Sequence, residues 1–134
     1  MSFFKQFENS IIIDKSDENI FSMTPSKDYF VGNTPHGGYL MAVMHKALTK
    51  ILPHSTAISS SVQYLDRIDA APFELEVETF KSSRGSSSGI VKLKQKNKTC
   101  TTFTGTCSDF EFIRCGCGML SDIAFCITAV RYPP

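Results

Sequence analysis

The residues best suited to chemistry form one short run, positions 33–39, with the sequence Asn-Thr-Pro-His-Gly-Gly-Tyr. Its two adjacent glycines, Gly37 and Gly38, let another molecule approach the backbone closely, and an apolar stretch follows at 39–44. If a helix begins here, its first N–H groups have no acceptor inside the helix. Those donors and the helix dipole stabilise a polarised carbonyl oxygen or a developing oxyanion. The run therefore predicts an oxyanion-binding helix start, although a pair of glycines at a helix start is by itself common.

Three histidines, His36, His45 and His54, follow one another at intervals of nine residues. Nine residues turn a helix by about 900°, so residues at this spacing lie on opposite sides of it and cannot share one metal ion. His45 then has two interpretations, a polar residue on an amphipathic stripe or a chemical group. The five cysteines all fall between positions 100 and 126, and only Cys115 and Cys117 are close together. Because this spacing does not match a zinc site, we predict free thiols and no metal.

Residues 85–89, Gly-Ser-Ser-Ser-Gly, formally match the G-x-S-x-G turn of serine hydrolases. That turn joins a strand to a helix, whereas residues 90–94 have the alternation of another strand. Hydrolases of that fold also place their histidine after the serine in the chain, and no histidine follows Ser87. We therefore interpret this segment as the turn of a β-hairpin.

Six of the fourteen basic residues lie within eighteen positions, with no acid between them: Lys81, Arg84, Lys92, Lys94, Lys96 and Lys98. Two interpretations of this basic ribbon stay open. It attracts a ligand that bears several phosphates, or it is a charged strand that prevents pairing with the edge of another sheet.

The elements that position these residues follow from the periodicity. Residues 37–52 predict the one convincing helix, which Pro53 ends, and its first half is apolar on every side, as in a helix buried nearly all round. A hairpin is expected from residues 11–13 and 20–23, and further strands from residues 58–65, 73–79, 90–98 and 101–112. This order predicts an α+β fold in which a curved antiparallel sheet wraps around one long central helix.

The composition limits the class of protein. With 134 residues, 42% of them hydrophobic and 20% charged, the chain has room for one domain and is ordinary globular protein. A net charge of +1 argues against a nucleic-acid binder, whose surface is strongly basic. The longest apolar stretch, residues 39–44, is far shorter than the ~20 residues of a membrane span, and the N-terminus has no signal-peptide pattern. We therefore expect a cytoplasmic protein with no nucleic-acid partner and no membrane span.

The order of these features resembles a known family. It comprises a Pro-His-Gly-Gly-Tyr helix start, a strand that ends in Gln63-Tyr64-Leu65, a strand of alternating glutamates, a Ser/Arg/Gly turn, and Leu-Lys-Gln-Lys at 93–96. This pattern is similar to the acyl-CoA thioesterase-like superfamily, which has the hotdog fold, and more narrowly to the N-terminal hotdog of the tandem type II acyl-CoA thioesterases. The resemblance covers about residues 8–112. It implies one hotdog domain over 1–112 and a divergent, cysteine-containing tail over 113–134, which either supplies an extra strand or lies outside the fold.

This resemblance implies a thioester hydrolase that converts a fatty acyl-CoA into a free acid and coenzyme A, with no cofactor other than the coenzyme A of the substrate. The thioester carbonyl would point at the helix start, with the N–H of Gly37 or Gly38 as its oxyanion hole and His36 beside it as a further catalytic residue. The acyl chain would lie between helix and sheet. Four residues are expected to bind the substrate, the last of them through the coenzyme A phosphates: Asn33, Tyr39, Tyr64 and Arg84.

The chain departs from the family pattern at the catalytic position. Relatives with one hotdog carry a carboxylate nine residues after the histidine, where this chain has His45, and residues 37–52 contain no Asp or Glu. The catalytic residues of the tandem enzymes belong to the second hotdog. Gln63, Asp66 and His45 are therefore the candidates to orient the attacking water. Asp66-Arg67 also stands where the family usually has Arg-Pro.

Two alternatives to hydrolysis remain. A hotdog that lacks the catalytic half would bind an acyl-CoA or a fatty acyl group without cleaving it. A hotdog dehydratase acting on acyl-CoA is less favoured, because its Asp and His motif is not found in the sequence. Since hotdogs bury one side of their sheet against a second copy, the resemblance also implies a homodimer with its pocket at or near the subunit boundary.

Overall fold

The computed structural model describes residues 2–109, so the tail predicted over 113–134, with its extra strand, lies outside the described residues. Helices α1 (Phe3–Ser10) and α2 (Gly37–Ile51) and the 3-10 turn Lys27–Tyr29 alternate with strands. The strands are β1 (Asp14–Asp17), β2 (Ile20–Met23), β3 (Phe30–Val31), β4 (Thr34–Pro35), β5 (Thr56–Tyr64), β6 (Phe73–Ser82), β7 (Ser86–Gln95) and β8 (Lys98–Ser108).

Six of the strands form one antiparallel sheet in the order β1-β2-β6-β7-β8-β5. Strands β3 and β4 form a separate two-stranded ribbon that leads directly into α2. Helix α2 packs against β6, β7 and β8, in the middle of the sheet. This architecture confirms the predicted α+β hotdog fold, a sheet wrapped around one long helix.

The layer between α2 and the sheet is filled by apolar side chains. The helix contributes Tyr39, Leu40, Val43, Met44, Ala47 and Leu48, and the sheet contributes Leu75, Val77, Val91, Leu93 and Phe103, all of them buried. Burial of each large apolar side chain contributes about 1.5–3 kcal/mol to the stability of the fold. The resemblance places the acyl chain of a substrate in this layer, but the protein's own side chains occupy it. A bound acyl chain therefore needs another path.

Two glycines allow the C-terminal part of α2 to pack closely against the sheet. Gly89 and Gly105 are direct neighbours on β7 and β8, and both lie against Leu48. A Cβ atom at Gly105 would lie 2.7 Å from Leu48 Cδ2, and one at Gly89 would lie 2.6 Å from the carbonyl oxygen of Glu78. Leu48 thus occupies the space that side chains at these two positions would need.

The N-terminal region differs from its prediction. The strand expected over 11–13 is wrong, because Ile11 ends α1 as its C-cap residue, Ile13 belongs to the core, and the strand that pairs with β2 is β1. All four residues of β1, Asp-Lys-Ser-Asp, are exposed, so no apolar alternation marks it as a strand. Helix α1 has only eight residues and is anchored by one ring, Phe7, which packs edge-on against Tyr29 at 5.4 Å between ring centroids.

The single strand predicted over 90–98 covers parts of two strands in the structure, because β7 ends at Gln95 and β8 begins at Lys98. Lys96 and Asn97 form the connecting turn with φ angles of 54° and 59°, the left-handed conformation that two-residue hairpin turns require at both positions. The predicted hairpin is present, but the prediction that residues 85–89 form its turn is wrong: the turn lies at 83–85, and residues 86–89, Ser87 included, belong to β7. Among residues 2–109, neither helix is both long and apolar enough to cross a membrane.

The two glycines give a test of this packing. Gly105→Ala is expected to destabilise the protein by about 1–3 kcal/mol, because its methyl group overpacks against Leu48. In a Leu48→Ala background the same substitution should cost much less, since the shortened side chain vacates the space. Gly89→Ala should stay costly in both backgrounds, because its methyl group meets the backbone of Glu78. Urea unfolding measures these differences, and an equal cost of Gly105→Ala in both backgrounds would contradict the packing.

Candidate functional site

The start of α2 provides the donors that the sequence predicts. The N–H of His36 donates to the Tyr29 carbonyl oxygen over 2.8 Å, and the N–H of Gly38 donates to Nδ1 of His36 over 3.0 Å, which makes His36 the N-cap residue. The N–H of Gly37 has no acceptor within the helix, and Gly37 lines a cleft. Of the two glycines, Gly37 is therefore the better placed to donate to an oxyanion.

The cleft beside this helix start has a volume of about 240 Å³. Its floor is formed by three side chains that are at most 2% exposed, Leu40, Ile68 and Thr101. Its sides come from β4, α2, the end of β5 and the segment after β5, namely Thr34, Pro35, Gly37, Tyr64, Asp66 and Arg67. A mostly apolar floor with a few polar groups around it is typical of a site for a small molecule.

Tyr64 and Gly37 are brought together as predicted. The Tyr64 hydroxyl, at the end of β5, donates to the Gly37 carbonyl oxygen over 2.7 Å. A Cβ atom on residue 37 would lie 2.8 Å from that hydroxyl oxygen, so the contact requires a glycine. Partial burial raises the pKa of Tyr64, which keeps the hydroxyl protonated as a donor.

Two charged side chains lie at the rim of the cleft. Asp66 accepts a hydrogen bond from the N–H of Arg67 over 2.8 Å and forms an ion pair with Lys98 at the start of β8. The hydrogen bond from Lys98 is the main cause that holds the pKa of Asp66 below its ordinary value, so its carboxylate is charged at neutral pH. Arg67 donates from Nε to the Thr34 hydroxyl over 2.9 Å, and a guanidinium has four further N–H donors.

Thr101 is the polar residue on the floor of the cleft. The residue is 0% exposed, and its Oγ1 has no hydrogen-bond partner within residues 2–109. Its neighbours on the floor, Leu40 and Ile68, offer no side-chain acceptor or donor. Because this oxygen is itself buried, it is not accessible to a ligand in the cleft, and the accessible part of the floor is mostly apolar.

His36 and two predicted substrate-binding residues lie elsewhere around the helix start. His36 and Tyr39 line a second, aromatic groove of about 490 Å³. Tyr39 is 3% exposed, and its hydroxyl donates to the Ser10 carbonyl oxygen over 2.6 Å and accepts from the Ser26 N–H over 3.2 Å. These bonds tie α1 and the segment before β3 to α2, so a structural role explains Tyr39. Asn33 occupies the exposed turn between β3 and β4.

His45 and Gln63 also lie away from the cleft. His45 is half-buried on the third turn of α2 and packs edge-on against the Phe103 ring, with 6.1 Å between ring centroids. Burial lowers its pKa, so the imidazole is neutral at pH 7. Gln63 lies on the exposed face of β5, because the preceding residue, Val62, packs against the core and successive strand residues alternate.

Arg84 lies at the opposite end of α2 from the cleft. It belongs to the turn between β6 and β7, whose backbone is held by His54: Nε2 of His54 is 3.1 Å from the Arg84 carbonyl oxygen, and Nδ1 is 2.8 Å from Ser87 Oγ. Since α2 has 15 residues and a helix rises 1.5 Å per residue, about 22 Å separate this end from Gly37. Within one chain, Arg84 and the cleft are not brought together.

The basic ribbon is matched by carboxylates. Strand β7 is an inner strand of the sheet, so its lysines protect no edge, and that interpretation is wrong. Four lysines of the ribbon, two on β7, one in the turn after it and one at the start of β8, each pair with an acid: Lys92 with Glu78, Lys94 with Glu76, Lys96 with Asp69, and Lys98 with Asp66. The ribbon is therefore not the unpaired positive surface that phosphate binding would favour. The described residues contain no group of three or more His, Cys, Asp or Glu arranged to hold a metal ion.

Three polar residues that line the cleft were not among the predicted site residues: Thr34, Arg67 and Thr101. The alternation of β8 indicates that Thr101 shares the helix-facing side with Phe103. Its position near Gly37, however, depends on the order of the strands in the sheet. Arg67 follows Asp66 in the sequence, where the family usually has Arg-Pro. This departure from the family pattern is the sequence signal that could have identified Arg67 as a site residue.

Comparison with known proteins identifies the family of this chain. Residues 25–108 match the family model described as acyl-CoA thioesterase N-terminal domain. The chain belongs to this family. The match confirms the predicted family, and it includes α2, the cleft and strands β5 to β8. Among curated proteins, none matches the chain.

Solved structures similar to this acyl-CoA thioesterase N-terminal domain have the hotdog fold. A candidate thioesterase II from Thermobifida fusca has a TM-score of 0.75 and 25% identity, over 78% of this chain and 39% of that one. The tesB protein of Mycobacterium avium subspecies paratuberculosis has a TM-score of 0.70 and 16% identity, over 80% of this chain and 43% of that one. A mutant of the phenylacetic acid degradation protein PaaI from Thermus thermophilus has a TM-score of 0.65 and 20% identity, over 78% of this chain and 99% of that one. The chain thus spans 39–43% of the length of the first two structures.

The Asp66–Lys98 ion pair predicts a pH dependence of stability. Because the folded-state pKa of Asp66 lies below its unfolded value of about 3.9, the pair stabilises the fold above that value and ceases to do so as pH falls through the folded pKa. Asp66→Asn should therefore reduce the loss of unfolding free energy on acidification from about pH 5 downward. Urea unfolding at several pH values measures this, with Glu8→Gln on the exposed α1 as control. Parallel pH curves for the wild type and Asp66→Asn would contradict the prediction.

Proposed function

We propose that this domain hydrolyses an acyl-CoA thioester in the cleft beside the start of α2. One observation carries the proposal: Gly37, whose N–H has no intrahelical acceptor, and Asp66, whose carboxylate is charged at neutral pH, both line this cleft. Membership of the acyl-CoA thioesterase N-terminal domain family supports the choice of substrate class. The activity of a whole tandem protein is not implied by that membership alone, since the chain spans 39% of the first such structure.

In this proposal the thioester carbonyl oxygen accepts a hydrogen bond from the Gly37 N–H. The positive end of the helix dipole stabilises the negative charge that develops on that oxygen. A water molecule adds to the carbonyl carbon and gives up a proton. The carbon–sulfur bond then breaks, the sulfur leaves as the thiol of coenzyme A with that proton, and the acyl group leaves as a carboxylic acid.

Asp66 is the group we assign to the water. Its low pKa makes the carboxylate a weak base, so it orients the water by accepting a hydrogen bond rather than by holding the proton. Tyr64 holds Gly37, the residue that binds the oxyanion, in place. Its hydroxyl donates a hydrogen bond to the Gly37 carbonyl oxygen. His36, His45 and Gln63 line other surfaces and have no part in this step.

The acyl group enters the cleft over Leu40 and Ile68, since the layer between α2 and the sheet is filled. The coenzyme A phosphates then lie outside the rim. Arg67 is suited to contact one of them, because it stands at the rim and its planar guanidinium offers several donors to a phosphate.

We also propose a homodimer, supported by the contrast between the two edges of the sheet. The edge strand β1 has four residues, three of them charged, and such short, charged edges resist pairing. Within residues 2–109 the other edge strand is β5, which has nine residues, Thr-Ala-Ile-Ser-Ser-Ser-Val-Gln-Tyr, and none of them is charged. A second copy that pairs with β5 about a two-fold axis would satisfy its free backbone groups.

Such a pairing also gives Arg84 a place near substrate. Antiparallel pairing of two β5 strands sets the start of one beside the end of the other. The turn that carries Arg84 lies at the start of β5, where Ser86 and Thr56 both pair with Ser108, whereas the cleft lies at its end. Arg84 of the partner subunit would then approach the cleft that Arg84 of the same chain cannot reach.

The hydrolase proposal is tested by thiol release from acyl-CoAs ranging from acetyl-CoA to palmitoyl-CoA. We expect turnover by the wild type and a fall in kcat of about 10²-fold in Asp66→Asn, because the oriented water is lost. Asp69→Asn is the matched control, since Asp69 pairs with Lys96 as Asp66 pairs with Lys98 but does not line the cleft. Saturable binding of acyl-CoA without thiol release would refute hydrolysis and favour the binding module. Equal activity of both variants would remove Asp66 from the mechanism.

The dimer is tested by native mass and by a charge placed on β5. Ser61→Lys, in the middle of this edge, is expected to convert a dimer into a monomer at micromolar concentration, because a lysine on the edge prevents strand pairing. Ser16→Lys on β1 should leave the dimer intact. A monomeric wild type in light scattering would contradict the proposal.

A further inference from the structure

The turn that carries Arg84 is held by two buried side chains from outside its own hairpin. His54, which lies between α2 and β5 and is 4% exposed, contacts the Arg84 carbonyl oxygen through Nε2 over 3.1 Å. Ser108, which ends β8 and is 1% exposed, donates from Oγ to the Gly85 carbonyl oxygen over 2.5 Å. A backbone hydrogen bond of 2.8 Å between residues 83 and 86 closes the hairpin itself. Each of the three turn residues, 83–85, is therefore fixed by a hydrogen bond.

The His54 ring is held through both of its nitrogens. Because a carbonyl oxygen only accepts hydrogen bonds, Nε2 carries a proton and donates it to Arg84. Nδ1 is 2.8 Å from Oγ of Ser87, which belongs to β7 and is 2% exposed. The ring cannot turn without breaking both contacts. His54 thus fixes the backbone from which the Arg84 side chain extends.

The side chain on this turn is exposed, and its positive charge is not balanced by a neighbouring acid within residues 2–109. Four residues of the basic ribbon form ion pairs with carboxylates, and in that part of the chain Arg84 and Lys81 form none. A planar guanidinium matches the geometry of a phosphate. Holding the backbone of such a residue before the ligand arrives lowers the entropy that binding has to remove.

We infer that His54 is a positioning residue for coenzyme A binding, because it fixes the turn from which Arg84 binds a coenzyme A phosphate at the cleft of the partner subunit. The inference rests on the proposed function and on the proposed dimer, which sets this turn beside the end of the partner's β5. His54 itself is buried and does not contact the substrate. It contributes to affinity and not to the chemical step, since the groups that act on the thioester belong to the cleft.

The experiment measures coenzyme A binding by calorimetry and acyl-CoA hydrolysis by thiol release on the same variants. His54→Asn is too short to reach the Arg84 carbonyl oxygen and keeps a contact with Ser87, whereas the longer His54→Gln keeps a donor for that carbonyl. We expect His54→Asn to raise the Kd of coenzyme A and the KM of acyl-CoA about threefold, with little change in kcat. Arg84→Ala should raise both about tenfold, and His54→Gln should restore affinity close to that of the wild type.

Two further variants separate positioning from a general loss of stability. Ser87→Ala removes the other hydrogen bond of the same ring, so it should lower the Tm about as much as His54→Asn and leave coenzyme A affinity unchanged. The double variant His54→Asn/Arg84→Ala should bind coenzyme A no more weakly than Arg84→Ala alone, because His54 acts through Arg84. Ser108→Ala frees the same turn at Gly85 and should also raise the Kd, which keeps the test valid if His54→Asn does not fold.

Several outcomes would overturn the inference. They are an unchanged Kd in Arg84→Ala, an unchanged Kd in both His54→Asn and Ser108→Ala, an equal loss of affinity in Ser87→Ala, and a double variant that binds more weakly than Arg84→Ala. If the expected differences in Kd occur but no thiol is released, the hydrolase proposal fails and the inference stands. A wild type that binds no coenzyme A would overturn both.

Discussion

The close contact between α2 and the sheet is the constraint on which the rest of the structure depends. Gly89 and Gly105 stand side by side on β7 and β8, and the space above them is taken by Leu48. With the C-terminal part of the helix held against the sheet in this way, its first turn lies beside the end of β5, and the Tyr64 hydroxyl donates a hydrogen bond to the Gly37 carbonyl oxygen. The cleft is the space left between that first turn and the start of β8. Its position is therefore a result of core packing rather than of a separate binding loop.

The chemistry of the cleft depends on which polar groups the fold has already used. His36 caps α2 by accepting from the Gly38 N–H, which leaves Gly37 as the available donor. Lys98 holds Asp66 as a charged carboxylate at the rim. The Tyr39 hydroxyl, in contrast, is engaged twice by the chain itself and contributes to stability. Residues that look equally functional in the sequence thus differ in whether their polar groups are already hydrogen-bonded within the chain.

The sequence predicts the structural features that depend on residues close together in the chain. The start of α2 at Gly37, its end before Pro53, and the fold class all follow from local patterns, and the structure agrees with them. It does not predict features that depend on tertiary contacts. Strand β1 is polar throughout and exists because it pairs with β2, and the turn at 96–97 interrupts what looks like one alternating strand. Gln63 and Asp66 are close in the chain, but β5 ends between them, so only Asp66 reaches the cleft. Thr101 joins it from β8, a strand far away in sequence.

The difference between the two sheet edges has a consequence for the size of any assembly. Among residues 2–109 the sheet has a long neutral edge, β5, and a short charged edge, β1, and in the proposed dimer only β5 pairs with a second copy. If two β5 strands pair about a two-fold axis, neither β5 edge remains free, and the two outer edges of the dimer are the charged β1 strands. A third copy then finds no neutral edge to pair with, so the proposed assembly stops at the dimer. The same asymmetry that permits pairing therefore also protects the protein against the open-ended stacking by which exposed strands form fibres.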